Sequence, residues 1–300
     1  MRSASTQRVL LDKLAQKSMF LLCIAAILMV VFIGAGLFLK SSPIFEQYDF
    51  WSLISSSEWL PGQGKFGFLP FIAGTVGVTG LALLIALPIA LLTALFLTEH
   101  SKVWVRKWVY PALDILAGLP SVVYGVWGSL LIVPWISEKL APHFVEYSTG
   151  YTTLAGGIVL AVMILPLLVS LFIELFTTVP RELREASLSL GATKWQTSKY
   201  ILLRKTFPGI FAAVILAVSR AFGETIAVLM VCGNIPQVPG SIFDACYPIP
   251  ALIANNYGEM LSIPLYEAAL MMAAFLLFIV VFTFNAFSRI ILYRIEQKYR

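Results

Sequence analysis

Charged residues are scarce in this chain. Only 12% of its 300 residues are Asp, Glu, Lys or Arg, whereas 59% are hydrophobic. Globular proteins carry about 25% charged residues, and a water-soluble fold could not hide so much apolar surface. Composition therefore favours a membrane protein with several spans. The net charge of +5 does not indicate a nucleic-acid partner, because basic residues kept on the cytoplasmic side of a membrane give the same excess.

Metal and redox ligands are also few. The three cysteines are Cys23, Cys232 and Cys246, and the two histidines are His100 and His143. They form no CxxC pair and no spacing typical of a zinc, iron–sulfur or haem site, so we expect neither a metal nor a cofactor. A disulfide between Cys232 and Cys246 would require both to face the outside; we expect instead one buried thiol and one loop thiol.

The motifs of several enzyme classes are missing. No G-x-x-x-x-G-K-[ST], H-E-x-x-H or G-x-S-x-G occurs, so the chain has no ATP-binding P-loop and is predicted not to be an enzyme. The string GQGKFG at 62–67 matches G-x-G-x-x-G, but a dinucleotide site needs it between a strand and a helix of a βαβ unit. In an exterior loop we interpret it as a flexible turn.

What the chain has in quantity is apolar sequence. Six runs are long enough to cross about 30 Å of hydrocarbon at about 1.5 Å per residue. They are 19–39, 69–97, 111–135, 152–176, 209–231 and 264–292. The predicted class is an all-α membrane protein with six transmembrane helices. We divide it into a cytoplasmic segment (1–18), a first span with its external loop (19–68), a transmembrane domain (69–292) with a cytoplasmic loop (177–208), and a cytoplasmic tail (293–300).

The distribution of Lys and Arg predicts the orientation. Counted over the N-terminal segment, the second-to-third loop, the fourth-to-fifth loop and the C-terminal tail, 17 of the 21 basic residues lie on one side. Only Lys40, Lys65 and Lys139 fall on the other side, and Arg220 lies within a span. Since positive residues are retained inside, both termini and the loop 177–208 are predicted to be cytoplasmic.

Two charges lie within the fifth predicted span, in the string SRAFGET. Arg220 and Glu224 are four residues apart, which on a helix places them on one face and close enough to pair. A lone Arg at the centre of a span costs about 2.5–3.5 kcal/mol on the insertion scale, so it normally faces protein or water. One interpretation is a structural ion pair that satisfies itself. The other is a cationic position in an anion pathway, partly neutralised by Glu224.

The third predicted span is interrupted by AGLPSVVYGVWG, residues 117–128. Pro120 lacks an N–H and clashes with the preceding turn, which frees the carbonyl of Leu116 and predicts a kink. Broken helices occur in membranes where they line a cavity or are buried in protein. Both a packing kink and a pathway segment fit this pattern. Its small or hydroxylated residues are Gly118, Gly125, Ser121 and Tyr124.

The cytoplasmic loop contains REASLSLGATKWQTSKYILLRK, residues 184–205. Pro180 suits the first turn of a helix, and Gly191 suits its end because glycine adopts positive φ there. Thr193 and Gln196 form a capping box for a second helix. Apolar residues recur at helical spacing in the first helix, at Leu183, Ala186 and Leu190. In the second helix one face is shared by Trp195, Ser198 and Leu202. The pattern predicts a helix–Gly–helix elbow, either a docking surface or an amphipathic loop on lipid headgroups.

The elbow resembles the signature of the permeases of ABC importers, which reads E-A-A, three residues, G, nine residues, I-x-L-P. The matching residues are Glu185, Ala186, Ser187, Gly191, Ile201 and Leu203. Ser187 replaces the second alanine, and Arg204 stands where proline is usual; Pro208 is a candidate for a later break. In this family the elbow is the helix that couples the permease to its ATPase.

Three further stretches, at 59–75, 117–128 and 218–234, are similar to the phosphate permeases of this family, and the resemblance covers about two-thirds of the chain. It implies a type I (MetI-like) importer fold. The partners it implies are a second permease, two cytoplasmic ATPase subunits and an external phosphate-binding protein, in addition to membrane lipid. By the same resemblance, Arg220 and Glu224 are implicated in phosphate passage.

Three alternatives remain at this level. A permease for another oxyanion or small solute would carry the same elbow. A secondary transporter would work without an ATPase, but the inverted repeats typical of that class are not apparent. A membrane-embedded enzyme would need a cluster of catalytic His, Asp or Cys at one membrane face, and the sequence has none.

Overall fold

The structure is a computed structural model that describes residues 2–258 and 264–299. It is helical apart from one short hairpin, in which β1 (Trp59–Leu60) pairs antiparallel with β2 (Lys65–Phe66). The helices, in chain order, are α1 Arg2–Ser41, α2 Phe50–Ser55, α3 Leu69–Leu95, α4 Val103–Gly118, α5 Ser121–Trp127, α6 Val133–Trp135, α7 Thr153–Thr177, α8 Arg181–Ser189, α9 Lys194–Thr197, α10 Leu203–Phe222, α11 Ile226–Leu229, α12 Ile249–Asn256 and α13 Pro264–Tyr299.

Within the described residues, six helical segments are long and apolar enough to span a membrane, which confirms the predicted number of spans. They are Asp12–Glu46, Leu69–His100, Ser121–His143, Thr153–Thr177, Lys194–Phe222 and Pro264–Ile291. Several exceed a single α-helix because turns of π-helix continue them, as Phe96–His100 continues α3. The wider turn keeps the chain helical where one extra residue must be accommodated.

The third span begins later than the sequence predicted. Leu119 and Pro120 are extended, with ψ of 135° and 143°, so α4 ends at Gly118 and a new helix starts at Ser121. The predicted interruption at 117–128 is present, but it is a full break of the chain, not a kink within one span at 111–135. The residue before a proline is disfavoured in the α region, and here both residues leave it.

The fifth span also differs from the prediction of 209–231. It starts in the elbow at Lys194 and runs without a break through Arg204 and Pro208 to Phe222. Arginine is a good helix former, so its presence at 204 lets the helix continue where the family pattern has proline. At the other end, the chain leaves the helix at Gly223 and resumes at Ile226 in α11.

The helix pair α3–α7 forms the centre of the molecule. Four alanines spaced by four residues on α3, namely Ala82, Ala86, Ala90 and Ala94, are fully buried. A Cβ added at Gly157 of α7 would lie 2.7 Å from Cβ of Leu81, so the two backbones approach closely there. Small residues at fixed helical spacing permit such close packing between membrane helices.

A second core lies at the exterior end, where the loop 41–68 packs on α12 and α13. The Trp59 ring stands 4.8 Å from the Phe71 ring and 5.9 Å from that of Tyr266. Phe66, Phe71 and Tyr266 are buried, so these aromatic side chains pack inward. The GQGKFG string forms the turn of the β1–β2 hairpin, with Gly64 at φ 74°. A single 3-10 turn and the antiparallel β2 follow β1, not the α-helix and parallel strand of a dinucleotide site.

Cys232 and Cys246 lie beside each other at this exterior end, in the part of the chain that the structure describes. Both are buried and neither forms a disulfide; Cys246 lies in a loop, as expected, and its thiol is buried like that of Cys232. The Cys246 N–H donates to the Cys232 carbonyl at 2.9 Å, which ties the loop to the end of α11. Burial raises the pKa of the Cys232 thiol well above its ordinary value.

Candidate functional site

The break between α4 and α5 is stabilised by Tyr124. Its hydroxyl donates a 2.7 Å hydrogen bond to the carbonyl of Leu116, the group that Pro120 was expected to leave without a partner. The Tyr124 side chain is almost fully buried. Ser121 is the first residue of α5, and its hydroxyl has no hydrogen bond within the described residues. Tyr124 therefore holds the break in place, while Ser121 has a free donor and acceptor beside it.

Arg220 lies in the last turn of α10, where the helix dipole favours a cation. It is exposed in this chain, and its guanidinium has no hydrogen bond or ion pair within residues 2–258 and 264–299. The side chain is thus a cation at the end of an interrupted span, with its donors unused.

Glu224 lies in the break after α10. Its Oε1 accepts a 3.2 Å hydrogen bond from the backbone N–H of Ala227. The first N–H groups of a helix have no partner inside the helix, so Glu224 satisfies one of them for α11. This contact orients the carboxylate toward α11.

Arg220 and Glu224 form no ion pair with each other in the described residues, which argues against the first of the two interpretations of the sequence. The spacing of four residues places two side chains on one face only if the helix continues, and α10 ends at Phe222, between them. Because Glu224 instead caps α11, the self-satisfied ion pair is removed as an explanation for Arg220.

The two breaks meet in space. Helix α5 packs against α11, and a Cβ added at Gly125 would lie 3.2 Å from Cα of Ala227 and 2.6 Å from Sδ of Met230. The structure thus brings Ser121, Tyr124, Arg220 and Glu224 to the junction of two discontinuous spans. Gly118 makes no comparable approach, since nothing lies within 4 Å of its added Cβ.

Two polar features of this region were not predicted from the sequence. Thr75 and Thr79 of α3 are buried and line a small cavity together with Glu224. Asn234 adopts φ of 54° and donates to the Leu229 carbonyl at 2.8 Å, while its Oδ1 is buried without a hydrogen bond. The string Cys-Gly-Asn was a usable signal, because asparagine after glycine often occupies left-handed backbone.

The elbow at 180–205 has the local structure that its sequence predicts, with two adjustments. Gly191 has φ of 83°, and the capping box of Thr193 and Gln196 is present. Pro180, however, precedes the first helical residue, and the second helix runs on into the fifth span through a π turn at Ser198–Leu202.

The elbow exposes several large apolar side chains among its charged and polar ones. Leu190 is 89% exposed, and Leu183, Leu188 and Trp195 are each at least 40% exposed. Single exposed leucines are ordinary, but four large apolar side chains on one short elbow form a patch of the kind that marks an interaction site. Of the signature residues, Glu185 and Ala186 are exposed, and Ile201 and Leu203 are partly buried.

Ser187, the departure from the signature, has a contact of its own. Its Oγ lies 3.0 Å from Oγ1 of Thr197, so a hydroxyl pair joins α8 to α9 across the turn at Gly191. An alanine at 187 would lack this hydrogen bond.

Comparison with known proteins places the chain in a family. The sequence profile described as "Binding-protein-dependent transport system inner membrane component" matches residues 86–300. The phosphate transport system permease protein PstC of Xylella fastidiosa is 37% identical over 261 residues, which cover 82% of this chain and 80% of that protein. The PstC protein of Pasteurella multocida is 32% identical and covers 98% of this chain and 97% of its own.

Solved structures show a similar fold. The chain matches a crystal structure of a bacterial ABC transporter involved in the import of the acidic polysaccharide alginate with a TM-score of 0.58 and 17% identity. The match covers 93% of this chain and 98% of that one. At this identity the likeness concerns the fold alone.

Proposed function

Because this chain belongs to the binding-protein-dependent transport system inner membrane component family, we propose that it is the permease subunit of an ATP-driven importer for inorganic phosphate. It is a multi-pass protein of the bacterial inner membrane with the fold of type I importer permeases. As a transport component without a P-loop in its sequence, it depends on a separate subunit for ATP hydrolysis.

The observation that carries the proposal is Arg220, a cation without an ion-pair partner in the described residues, at the junction of two interrupted spans. Phosphate is anionic at neutral pH, and taking an anion into a low-dielectric region costs free energy that one nearby cation reduces. Discontinuous helices are where membrane transporters expose polar backbone and side chains to a substrate. In this proposal Arg220 receives the anion.

The neighbouring side chains have complementary roles in this proposal. Ser121 offers a hydroxyl that is not used elsewhere, and Tyr124 holds the break beside Arg220. Glu224 limits the affinity, because a carboxylate close to the pathway repels an anion and favours its release. Conduction requires binding that is strong enough for entry and weak enough for exit.

The partners follow from the family and from the elbow. We propose that two ATPase subunits dock on the elbows of this chain and of a second, similar permease, and that an external phosphate-binding protein delivers the substrate. The exposed leucines and Trp195 are the surface that such an ATPase would cover.

The experiment is phosphate uptake by the complete complex reconstituted in proteoliposomes, with Arg220→Gln compared with the parent. We expect uptake to fall roughly 10- to 100-fold with assembly unchanged, since a hydrogen bond to a charged group contributes about 1.5–3 kcal/mol. Lys107→Gln, which removes an exposed cation from α4, is the control and should transport like the parent.

Competition with sulfate and molybdate tests the substrate. Phosphate alone should compete with labelled phosphate at low concentration. If phosphate fails to compete while another oxyanion does, the importer serves that oxyanion instead. Loss of assembly in Arg220→Gln would mean that Arg220 is a structural residue, contrary to the proposal.

A further inference from the structure

Helix α8 of the elbow is attached to the membrane helices in an unusual way. No residue of this described helix is buried, so it has little apolar packing against the rest of the chain. A charged side chain reaches inward instead: Arg184 contacts the cytoplasmic ends of both α3 and α7.

Arg184 makes two contacts at this position. One guanidinium nitrogen, Nη2, donates to the carbonyl of Phe176 in the last turn of α7 at 2.6 Å. The same nitrogen lies 3.3 Å from Oε1 of Glu99, in the π turn that ends α3. A cation is favoured at the carboxyl end of a helix. Here it adds a short hydrogen bond to the Phe176 carbonyl, which otherwise accepts a 3.4 Å bond from the Val179 N–H.

The ion pair is sheltered from water. The exposed fractions of the two side chains are 21% for Arg184 and 16% for Glu99. Removing one partner of such a pair leaves a charge without compensation, which is far more disruptive than at the surface. The contact therefore depends on both residues being present.

The turn that carries Glu99 is itself held in place. Arg106 of α4 donates to Oγ of Ser101 at 2.9 Å and to the Ser101 carbonyl at 3.1 Å. The Ser101 hydroxyl in turn donates to the carbonyl of Leu97 at 2.7 Å. Glu99 thus belongs to a rigid turn, and Arg184 to a loosely packed helix.

The distance between the Arg184 and Glu99 side chains can still change. Glu99 Oε1 and Arg184 Nε are buried without a hydrogen-bond partner in the described residues. A cavity of about 390 Å³ adjoins them, lined by residues that include Arg106, Arg181 and Glu185. A small displacement of α8 could therefore tighten or loosen the contact between Arg184 and Glu99 without a steric clash.

We infer that Arg184 and Glu99 form the joint through which a movement of α8 reaches the transmembrane helices. Since α3 and α7 are the central pair, a pull on Glu99 and on the Phe176 carbonyl moves both helices together. The inference rests on the proposed function, because it assumes that an ATPase moves the elbow. Both are positioning residues: neither is expected to contact the transported anion or ATP.

The test uses the complete complex in proteoliposomes and measures ATP hydrolysis and phosphate uptake in the same preparation. Arg184→Gln and Glu99→Gln should assemble and hydrolyse ATP, but the phosphate accumulated per ATP should fall roughly 5- to 150-fold, the usual range of coupling between sites. The double variant should be no worse than either single variant, because both remove the same interaction.

The control is Lys107→Gln, which removes one positive charge from an exposed position of α4, outside the elbow; its uptake per ATP should equal that of the parent. Arg184→Lys should be intermediate, since a point charge replaces the planar fork of donors. The inference is contradicted if hydrolysis and uptake fall together at a constant ratio, or if every Arg184 and Glu99 variant fails to assemble. Either result would mean that the contact does not transmit movement of α8. A parent complex that accumulates no phosphate would instead refute the proposed function.

Discussion

The helix pair α3–α7 and the helix α8 are neighbours at the cytoplasmic end of the molecule, yet they are held by different forces. The pair is packed through buried alanines and glycines, with Gly157 close to Leu81. Helix α8 has no buried residue and is linked to the pair by the charged contact of Arg184 with Glu99 and Phe176.

This difference in packing implies that the α3–α7 pair is rigid and that α8 can move. Close apolar packing has one favourable arrangement and resists displacement, because any shift opens voids or causes clashes. A helix held by a few polar contacts has low local stability and is free to shift, as elements that move in transport must be. Substitutions in the α3–α7 pair should therefore prevent folding. Substitutions in the elbow should leave the fold intact and reduce transport.

The largest expected effect is that of Gly157→Leu. Its Cβ would lie 2.7 Å from Cβ of Leu81, and no rotamer change relieves this clash because the backbone fixes both atoms. Overpacking of this kind costs typically about 1–3 kcal/mol and occasionally more. We expect little folded chain in the membrane, measured by immunoblotting and by size-exclusion chromatography in detergent.

The control is Gly80→Leu on α3, where nothing lies within 4 Å of an added Cβ. It should accumulate like the parent. Equal accumulation of both variants would show that the α3–α7 contact is looser than the structure indicates.

The next effect is that of Gly191→Pro in the elbow. Proline cannot adopt φ of 83°, and it removes the 3.0 Å hydrogen bond from the Gly191 N–H to the Leu188 carbonyl. The chain should accumulate normally, but phosphate uptake by the reconstituted complex should be lost. Gly191→Asn should retain uptake, because asparagine tolerates left-handed backbone. A collapse in chain level for Gly191→Pro would contradict the view that the elbow is dispensable for folding.

The smallest effect is that of Ser187→Ala, which removes the 3.0 Å contact with Thr197. A single neutral hydrogen bond contributes about 0.5–1.5 kcal/mol, so uptake should persist while α8 opens more often. Amide hydrogen exchange over 181–197 should become faster. Thr197→Val should produce the same increase, and combining both changes should add nothing; full additivity would mean that the two hydroxyls act separately.

The sequence predicted much of this architecture because the relevant forces act locally. The number of spans follows from apolar length, and the positive φ at Gly191 and the capping box of Thr193 follow from short-range backbone chemistry. The carbonyl of Leu116 was likewise expected to be left free by Pro120, although its partner, Tyr124, was not.

What the sequence left open depended on contacts between distant segments. Helical spacing allowed an ion pair between Arg220 and Glu224, but α10 ends at Phe222 and Glu224 accepts a hydrogen bond from Ala227 instead. Cys246 lies in a loop, as expected, and it is buried beside Cys232 because this loop folds back toward the end of α11.

From the sequence alone, apolar length predicts six membrane spans, and the distribution of basic residues predicts that the capped elbow lies in the cytoplasm. Those features depend on transfer free energies and backbone preferences that each segment has alone. The meeting of two broken spans near Arg220 and the contacts of Arg184 with α3 and α7 are visible only in the folded chain. Such contacts join residues far apart in the chain, and their geometry depends on how whole helices pack.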